Sequence, residues 1–247
     1  IASMYFIILI VRNRHRMYIS LNPIRVWSAL KSDIPGRVIS IGIPASVQNI
    51  LVTTSAMLMN NLAVPFGAAA VAAMGIAKKI DMIPMYISMG LGQGIMPLVG
   101  YCYASKDYHR MKKTVLFTAK LAVGVSVTLV AAIELLSPNI VELFIMDSAT
   151  VAYGTDFLRV FCIATIFMSI NMLMISVFQA TGQGRGALVL AVIRKAVLEI
   201  PLLFLLDRLF PLYGIVWVQT IVELLVLPVS LLLYRHFIDG LPHAGSV

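Results

Sequence analysis

Residues 157–181 read FLRVFCIATIFMSINMLMISVFQAT, and Arg159 is the only charged side chain among them. A helix needs about 20 mostly apolar residues to cross the hydrocarbon core of a bilayer. This stretch therefore predicts a transmembrane helix. Five further runs of the same kind occur at about 37–63, 70–104, 114–136, 186–206 and 212–235. Together they predict an all-α, polytopic membrane protein built as a six-helix transmembrane bundle.

The composition of the whole chain agrees with these runs. Of its 247 residues, 60% are hydrophobic and only 12% are charged, and the mean hydropathy is +0.94. A soluble domain carries about twice that charged fraction. The composition therefore excludes soluble enzyme folds, disulfide-stapled secreted domains and disordered chains. Cys102 and Cys162 lie in apolar runs and are interpreted as small buried hydrophobes.

The charge of the chain indicates topology. Lys and Arg exceed Asp and Glu by 19 to 11, which gives a net charge of +8. No basic cluster interleaves exposed aromatic residues for base stacking, so no nucleic-acid partner is predicted. The basic residues concentrate at 12–37, 105–113, 182–186 and Arg235, in segments that alternate with the spans. Because Lys and Arg are enriched in cytoplasmic loops, these segments and the C-terminal tail are predicted to face the cytoplasm.

The sequence divides into four parts. Residues 1–11 are apolar, too short to span a membrane and without a charged start, so they are interpreted as the end of a preceding transmembrane helix. Residues 12–36 predict a basic cytoplasmic linker that contains Pro35. Residues 37–237 form the predicted six-helix lobe, and residues 238–247 form a cytoplasmic tail.

Polar side chains recur inside the spans. Asn49, Thr53 and Asn60 share one stripe of the first span, and Gln48 lies beside it. Polar groups facing lipid are costly, so we expect the stripe to face the bundle interior, where it either binds substrate or hydrogen-bonds neighbouring helices. The residues of this kind, and so the candidate substrate-binding residues, are Gln48, Asn49, Thr53, Asn60, Asn171 and Gln179.

Acidic residues within the spans are the candidates for cation or proton coupling. Glu199 lies four residues after Lys195, so it forms either a structural ion pair on one helix face or a coupling site. Glu223 is the second coupling candidate, and its spacing from Gln219 also suits a polar contact between helices. Asp81 follows a lysine pair and is interpreted as its counter-charge. The acids within spans are Asp81, Glu134, Glu199 and Glu223.

Glycine and proline mark turns and bends. Residues 182–186 read GQGRG, but no strand precedes them, so they predict a tight turn rather than a phosphate-binding loop. The Gly90–Gly94 stretch predicts a face that another backbone can approach closely. Each proline within a span removes one backbone hydrogen bond, and we expect static kinks at most of them and a bending point at one or more. These prolines are Pro44, Pro84, Pro97, Pro201 and Pro228.

Several short motifs keep a fixed order along the chain. They are GIPA at 42–45, AAMGIAKKI at 72–80, GLGQGIMPLVGY at 90–101, FQATGQG at 178–184, RK at 194–195, EIP at 199–201 and LYGI at 212–215. In this order and spacing the set resembles the multidrug and toxic compound extrusion (MATE) family. The chain looks like the C-terminal six-helix half.

The resemblance implies a cation-coupled antiporter lobe that exports amphipathic or cationic drugs and toxic compounds by alternating access, in exchange for Na⁺ or H⁺. It implies a multi-pass protein of the bacterial cell membrane, paired with an N-terminal six-helix lobe, and neither an enzyme nor a holder of a cofactor besides the coupling ion. Some members carry a coupling acid on the helix that matches the first full span. Here that span carries only amides, at Gln48, Asn49, Asn60 and Asn61.

Three alternatives stay open on the sequence. A flippase of the same superfamily, moving a lipid-linked precursor, would share the architecture. An intramembrane enzyme would need clustered acids or a His pair at one membrane face, whereas the span acids are spread over four helices and no two His have metal-ligand spacing. A non-transporting helical subunit would have no polar cavity.

Overall fold

The computed structural model describes Arg12 and residues 34–241. The interpretations of residues 1–11 as a helix end and of most of 12–36 as a linker lie outside the described residues, as does the tail beyond 241. The chain divides into two compact units, Ile1–Ile43 and Pro44–Val247. Of the first, the structure describes Arg12 and the opening turns of one helix.

The described residues are helical and contain no strand. In chain order the elements are α1 (Ile34–Ala63), a 3-10 turn (Val64–Phe66), α2 (Ala68–Ala104), α3 (Tyr108–Glu142), α4 (Ser148–Ala180), α5 (Gly184–Val192), a π-helical segment (Ile193–Glu199), α6 (Ile200–Leu209) and α7 (Tyr213–Asp239). The run from α5 through the π segment to α6 matches the fifth predicted span. The all-α architecture with six membrane helices is thus confirmed.

The ends of the helices differ from the predicted boundaries. The described part of helix α1 runs from Ile34, which lies inside the predicted linker. Helix α7 continues to Asp239, two residues into the predicted tail. Helix α3 is longer than its apolar run at both ends because its polar ends continue the helix beyond hydrocarbon.

Four helices are long and apolar enough to cross a membrane: α2, α3, α4 and α7. Helix α4 is the centre of the lobe, since it packs against α2, α3, α5 and α7. In its most apolar window 67% of the residues are buried, against 22% for α3. Helix α4 is therefore the core helix, and α3 lies at the periphery with most of its apolar surface turned outward.

The contact between α2 and α4 depends on small residues. A Cβ atom at Gly92 would lie 2.6 Å from Ser176 Oγ, and one at Gly100 would lie 3.2 Å from the Ala180 carbonyl oxygen. At Gly90 and Gly94 a Cβ would meet nothing within 4 Å. The predicted close approach thus occurs at Gly92, and the prediction was wrong for its two neighbours because they lie on the other sides of the helix.

Turns and caps follow local sequence rules. Gly182 adopts a φ of 74°, in the left-handed region, at the turn between α4 and α5, which confirms the predicted turn. The Asp147 carboxylate caps α4 by accepting hydrogen bonds from the Thr150 amide at 3.0 Å and hydroxyl at 2.6 Å. These hydrogen bonds lower the pKa of Asp147. Asp107 caps α3 in the same way, through the Arg110 amide.

The π segment precedes Pro201, which opens α6. Proline has no N–H to donate and its ring clashes with the carbonyl four residues earlier, so a regular α-helix cannot continue through this point. The wider i→i+5 turn accommodates the disruption, and such segments are frequent at functional sites. Pro84, Pro97 and Pro228 are contained within long helices instead.

The cytoplasmic assignment of the basic segments is tested by labelling. Ser105 and Ser148 are both exposed and lie at opposite ends of the polypeptide that passes through α3. In a background without Cys102 and Cys162, cysteines placed singly at these two positions should react with an impermeant thiol reagent from opposite sides of the membrane. Labelling of both from one side would refute the topology.

Candidate functional site

Three basic and three acidic side chains lie inside the lobe, at the level of the π segment. We call this group the charged cluster, and it comprises Lys78, Arg194, Lys195, Asp81, Glu199 and Glu223. The three acids are each at most 4% exposed. The charges are linked across the helices: Lys78 is joined to Asp81 through the Gln219 amide, and the neighbours Arg194 and Lys195 pair with Glu223 and Glu199. With three charges of each sign, the cluster is neutral overall.

The most deeply buried part of the cluster joins the π segment to α7 and α4. Arg194 forms an ion pair with Glu223, and their side chains are 7% and 2% exposed. Asn171 donates to Glu223 Oε2 at 2.9 Å and to the Glu223 carbonyl oxygen at 3.0 Å. Ser230 completes the arrangement by donating to Asn171 Oδ1 at 2.8 Å. Among the residues that the structure describes, none accepts a hydrogen bond from the buried Nε atom of Arg194.

A second part of the cluster joins the π segment to α1. Lys195 Nζ lies 2.6 Å from Glu199 Oε2 and 2.7 Å from Glu199 Oε1, as the spacing of four residues predicts. The hydroxyl of Ser55, from the buried face of α1, donates to the same carboxylate. Both oxygens of Glu199 are therefore engaged, and any displacement of α1 acts directly on this ion pair.

The third part of the cluster connects α2, α4 and α7 through an amide. Lys78 Nζ donates to Gln219 Oε1, and Gln219 Nε2 donates to Asp81 Oδ2 at 3.2 Å. Thr165 donates to the other Asp81 oxygen at 3.4 Å. Lys78 Nζ also lies 3.9 Å from the centre of the Phe161 ring, a cation–π contact. Asp81 is thus linked to Lys78 as the interpretation of a local counter-charge expects, and the Gln219 amide bridges the two side chains.

The polar stripe of α1 does not face the interior of this lobe, contrary to the prediction. Asn49, Thr53 and Asn60 are exposed, and Thr53 donates to the Asn49 carbonyl oxygen at 3.0 Å. The buried stripe of α1 is Ser55, Met59 and Ala63, which repeats every four residues. Small and apolar side chains pack against the core, so the amides occupy a different side of the helix.

The other candidate substrate-binding residues fall in different environments. Gln179 is exposed at the end of α4. Asn171 is 1% exposed, and its amide is committed to Glu223 and Ser230, so its geometry suits the joining of helices. Gln48 lies on α1, but its side chain is outside the described part. A substrate role for these residues stays a prediction.

One cleft of the described residues is lined by none of the residues of the charged cluster. It has a volume of about 840 Å³ and lies between the adjoining ends of α3 and α4, lined by residues that include Glu142 and Asp156. Asp156 accepts a hydrogen bond from the Tyr213 hydroxyl at 3.2 Å. No residue of the α1 stripe lines this cleft. The cleft and the α1 stripe are therefore separate polar regions of the lobe.

Sequence reasoning missed the contacts that hold the cluster together over long distances in the chain, and two of them join the π segment to other helices. Arg194 pairs with Glu223, on a different helix, and Ser55 bonds Glu199 across 144 residues. A signal for the first was present in the four-residue spacing of Gln219 and Glu223, which places two polar groups on one face of α7. No local signal marks Ser55.

A membrane bundle with a neutral charged cluster among its helices and an exposed polar stripe on one of them has the features of a transporter lobe. The family model MatE matches residues 44–205. The chain therefore belongs to the MatE family, which confirms the resemblance. The named relatives and solved structures that match this chain are exporters and transporters, which confirms the expectation that the chain is not an enzyme.

Relatives of known name cover nearly all of the chain. Multidrug export protein MepA of Staphylococcus aureus (strain NCTC 8325 / PS 47) is 32% identical over 235 residues, which is 94% of this chain and 51% of that protein. MepA of Staphylococcus haemolyticus (strain JCSC1435) is 33% identical over 228 residues, 90% of this chain and 48% of that protein. The chain thus spans about half the length of these relatives.

Solved structures support the fold. An outward-facing multidrug resistance MATE family transporter of the MOP superfamily superposes with a TM-score of 0.79 at 22% identity, over 86% of this chain and 48% of that one. The Vibrio cholerae MATE transporter VcmN in the bent form superposes with a TM-score of 0.81 at 19% identity, over 96% of this chain and 54% of that one.

Proposed function

We propose that this chain is the C-terminal lobe of an exporter of amphipathic or cationic compounds in the bacterial cell membrane. The proposal is supported by the MepA relatives, which are named multidrug export proteins. It is also supported by coverage, because this chain matches only about half the length of these relatives. The half that it does not match would correspond to the N-terminal six-helix lobe. Export in exchange for Na⁺ or H⁺ by alternating access is part of the same proposal.

The observation that carries the proposal is the position of α1. One side of this helix presents Asn49, Thr53 and Asn60 to the outside of the lobe, while another side places Ser55 on the charged cluster. Polar amides facing lipid are costly, so a second lobe or a substrate pathway must cover the stripe. A compound bound there is one helix away from Glu199. Binding and the state of the cluster can then be coupled through a small movement of α1.

Among the three buried acids, Asp81 suits ion coupling best. Glu199 and Glu223, the candidates from the sequence, are each held in a direct ion pair, and a neighbouring cation opposes the binding of another at the same carboxylate. Asp81 accepts its hydrogen bonds from neutral donors, Gln219 and Thr165. We therefore favour a proton on Asp81 as the coupling ion, because burial favours the neutral form of a carboxyl group and both of its hydrogen-bond donors are uncharged.

A lipid-linked precursor is the second candidate substrate. Lys79 is exposed within α2, and a cation on a membrane-facing or cavity-facing surface attracts an anionic substrate. The fold also matches a MOP superfamily transporter from Pyrococcus furiosus Vc1 that is described as having a binding pocket of reverse polarity, suggesting a different function, with a TM-score of 0.76 at 22% identity. Transport assays that compare a lipid-linked sugar with a cationic dye distinguish the two candidates.

Reconstitution of the chain tests the half-transporter proposal. Vesicles that contain only this polypeptide should show no uptake of a cationic dye under an imposed proton or Na⁺ gradient, because one lobe leaves the α1 stripe uncovered and supplies only one wall of a pathway. Co-expression with the N-terminal lobe of a MepA relative should restore uptake. Vesicles with the N-terminal lobe alone are the control, and robust transport by this chain alone would contradict the proposal.

A further inference from the structure

The side of α3 that faces away from the lobe has an unusual composition at its N-terminal end. The buried side of this helix carries Met111, Val115 and Ala122. Residues Lys113, Phe117 and Lys120 lie on the opposite side and are exposed. Because α3 is peripheral, this side faces the surroundings of the lobe rather than another of its helices.

The surface is strongly basic and lacks counter-charges. Lys106, Arg110 and Lys112 are exposed around the same helix end. Asp107 is the only acid between residues 105 and 133, and its carboxylate is used to cap the helix. Within residues 34–241, none of these basic side chains forms an ion pair with an acid of the described part. The helix end therefore attracts anions.

The depth of Lys120 points to a lipid as the anion. Lys120 lies seven residues beyond Lys113, or about 10 Å further along the helix axis, and inside the apolar run at 114–136. A charged ammonium at that depth is costly in hydrocarbon. Its Cα–Cβ bond tilts toward the N-terminus of the helix, and its aliphatic stem lets the ammonium reach the interface. Both ammonium groups then converge near the level of Lys113.

Apolar surface adjoins the two lysines, as an acyl chain requires. Phe117 is 68% exposed and Leu116 is 58% exposed. A Cβ atom at Gly124, on the same side one turn deeper, would meet nothing within 4 Å. This side of the helix therefore presents two lysines with exposed apolar side chains between them and open space beside Gly124, one turn deeper than Lys120.

We propose that this face of α3 binds an anionic phospholipid, with the lipid phosphate between Lys113 and Lys120 and an acyl chain along Phe117 and Gly124. Charge complementarity selects an anionic head group over a zwitterionic one. Soluble anions lack the acyl chain and cannot use the apolar surface. Each lysine near a membrane surface contributes enough attraction that losing both should weaken lipid binding by about tenfold or more.

Native mass spectrometry of the full chain in a neutral detergent tests the proposal. Titration with phosphatidylglycerol and with phosphatidylcholine should show preferential retention of the anionic lipid by the wild type. The variant K113Q/K120Q should lose that preference, whereas K113R/K120R should keep it. The matched control K106Q/K112Q removes the same charge from the same helix end and should retain the preference.

Three results would overturn the proposal. They are equal retention of the two lipids by the wild type, equal loss in K113Q/K120Q and in the control, and loss of the preference in K113R/K120R. Circular dichroism of each variant establishes that helix content is unchanged. If K113Q/K120Q loses helix content, the single variants K113Q and K120Q are compared with K106Q and K112Q, and the same outcomes decide.

Discussion

Replacing Glu223 with Gln is expected to destabilise the lobe by about 3–5 kcal/mol, the usual effect of removing one partner of a buried ion pair. The substitution preserves shape but leaves the Arg194 guanidinium buried without a counter-charge. Among the described residues, that group already has one unpartnered nitrogen atom, Nε, and its contact with Met172 Sδ at 4.0 Å supplies no negative charge. A large fall in melting temperature in detergent is the expected result.

Two comparison variants give this experiment its control. Arg194→Met combined with Glu223→Gln should recover most of the lost stability, because neither charge is then desolvated alone. Glu134→Gln removes the acid of a half-exposed ion pair with Arg159, whose atoms lie 3.4 Å apart, and should cost less than about 1 kcal/mol. If Glu223→Gln is no more destabilising than Glu134→Gln, the role assigned to the buried pair is wrong.

The membrane architecture was predictable because it depends on local sequence properties. Long apolar runs such as 157–181 define spans, and the distribution of Lys and Arg defines sides. The ion pair of Lys195 and Glu199 was predictable for the same reason, since residues four apart share a helix face. The direction faced by the α1 stripe was not predictable, because polar spacing identifies a face and not what covers it.

The assembly of the charged cluster depends on tertiary packing instead. Which face of α7 meets the π segment is set by side chains far apart in the chain, so the spacing of Gln219 and Glu223 marks a polar face but does not identify Arg194 as the partner. The bridge of Gln219 between Lys78 and Asp81 is a further case, since a spacing of three residues suggests direct contact. The packing of α2, α4 and α7 brings an amide between the two charges.

The charged cluster also explains how separate helices can act together. Its first part joins the π segment to α7 and α4, its second ties α1 to the π segment, and its third ties α2 and α4 to α7. The six charges cancel only when all of them are counted together. Neutralising one acid therefore leaves an excess positive charge that acts on the neighbouring side chains. Loss of one hydrogen bond at Ser55 or Gln219 therefore removes a contact between helices.

Glu199→Gln is expected to lower stability more than Asp81→Asn does, whereas Asp81→Asn is expected to have the larger effect on transport. In the full-length transporter, Glu199→Gln should lower stability by about 3 kcal/mol, because it strands the Lys195 ammonium. Adding Lys195→Met should restore the melting temperature. Asp81→Asn should change the melting temperature less, since the new amide oxygen still accepts a hydrogen bond from Gln219 or Thr165, and Lys78 keeps its contacts with Gln219 and the Phe161 ring.

Efflux should be ranked the other way: Asp81→Asn should lower it more than removal of the pair of Lys195 and Glu199. Asp81→Asn removes the carboxylate proposed to carry the coupling proton, so proton-driven dye efflux should be lost although the protein is folded and expressed. The Lys195→Met, Glu199→Gln double variant should retain efflux once stability is recovered, because the pair is structural. Melting temperature and efflux are measured on the same preparations. Loss of efflux in that stable double variant, with efflux retained in Asp81→Asn, would transfer the coupling role from Asp81 to Glu199.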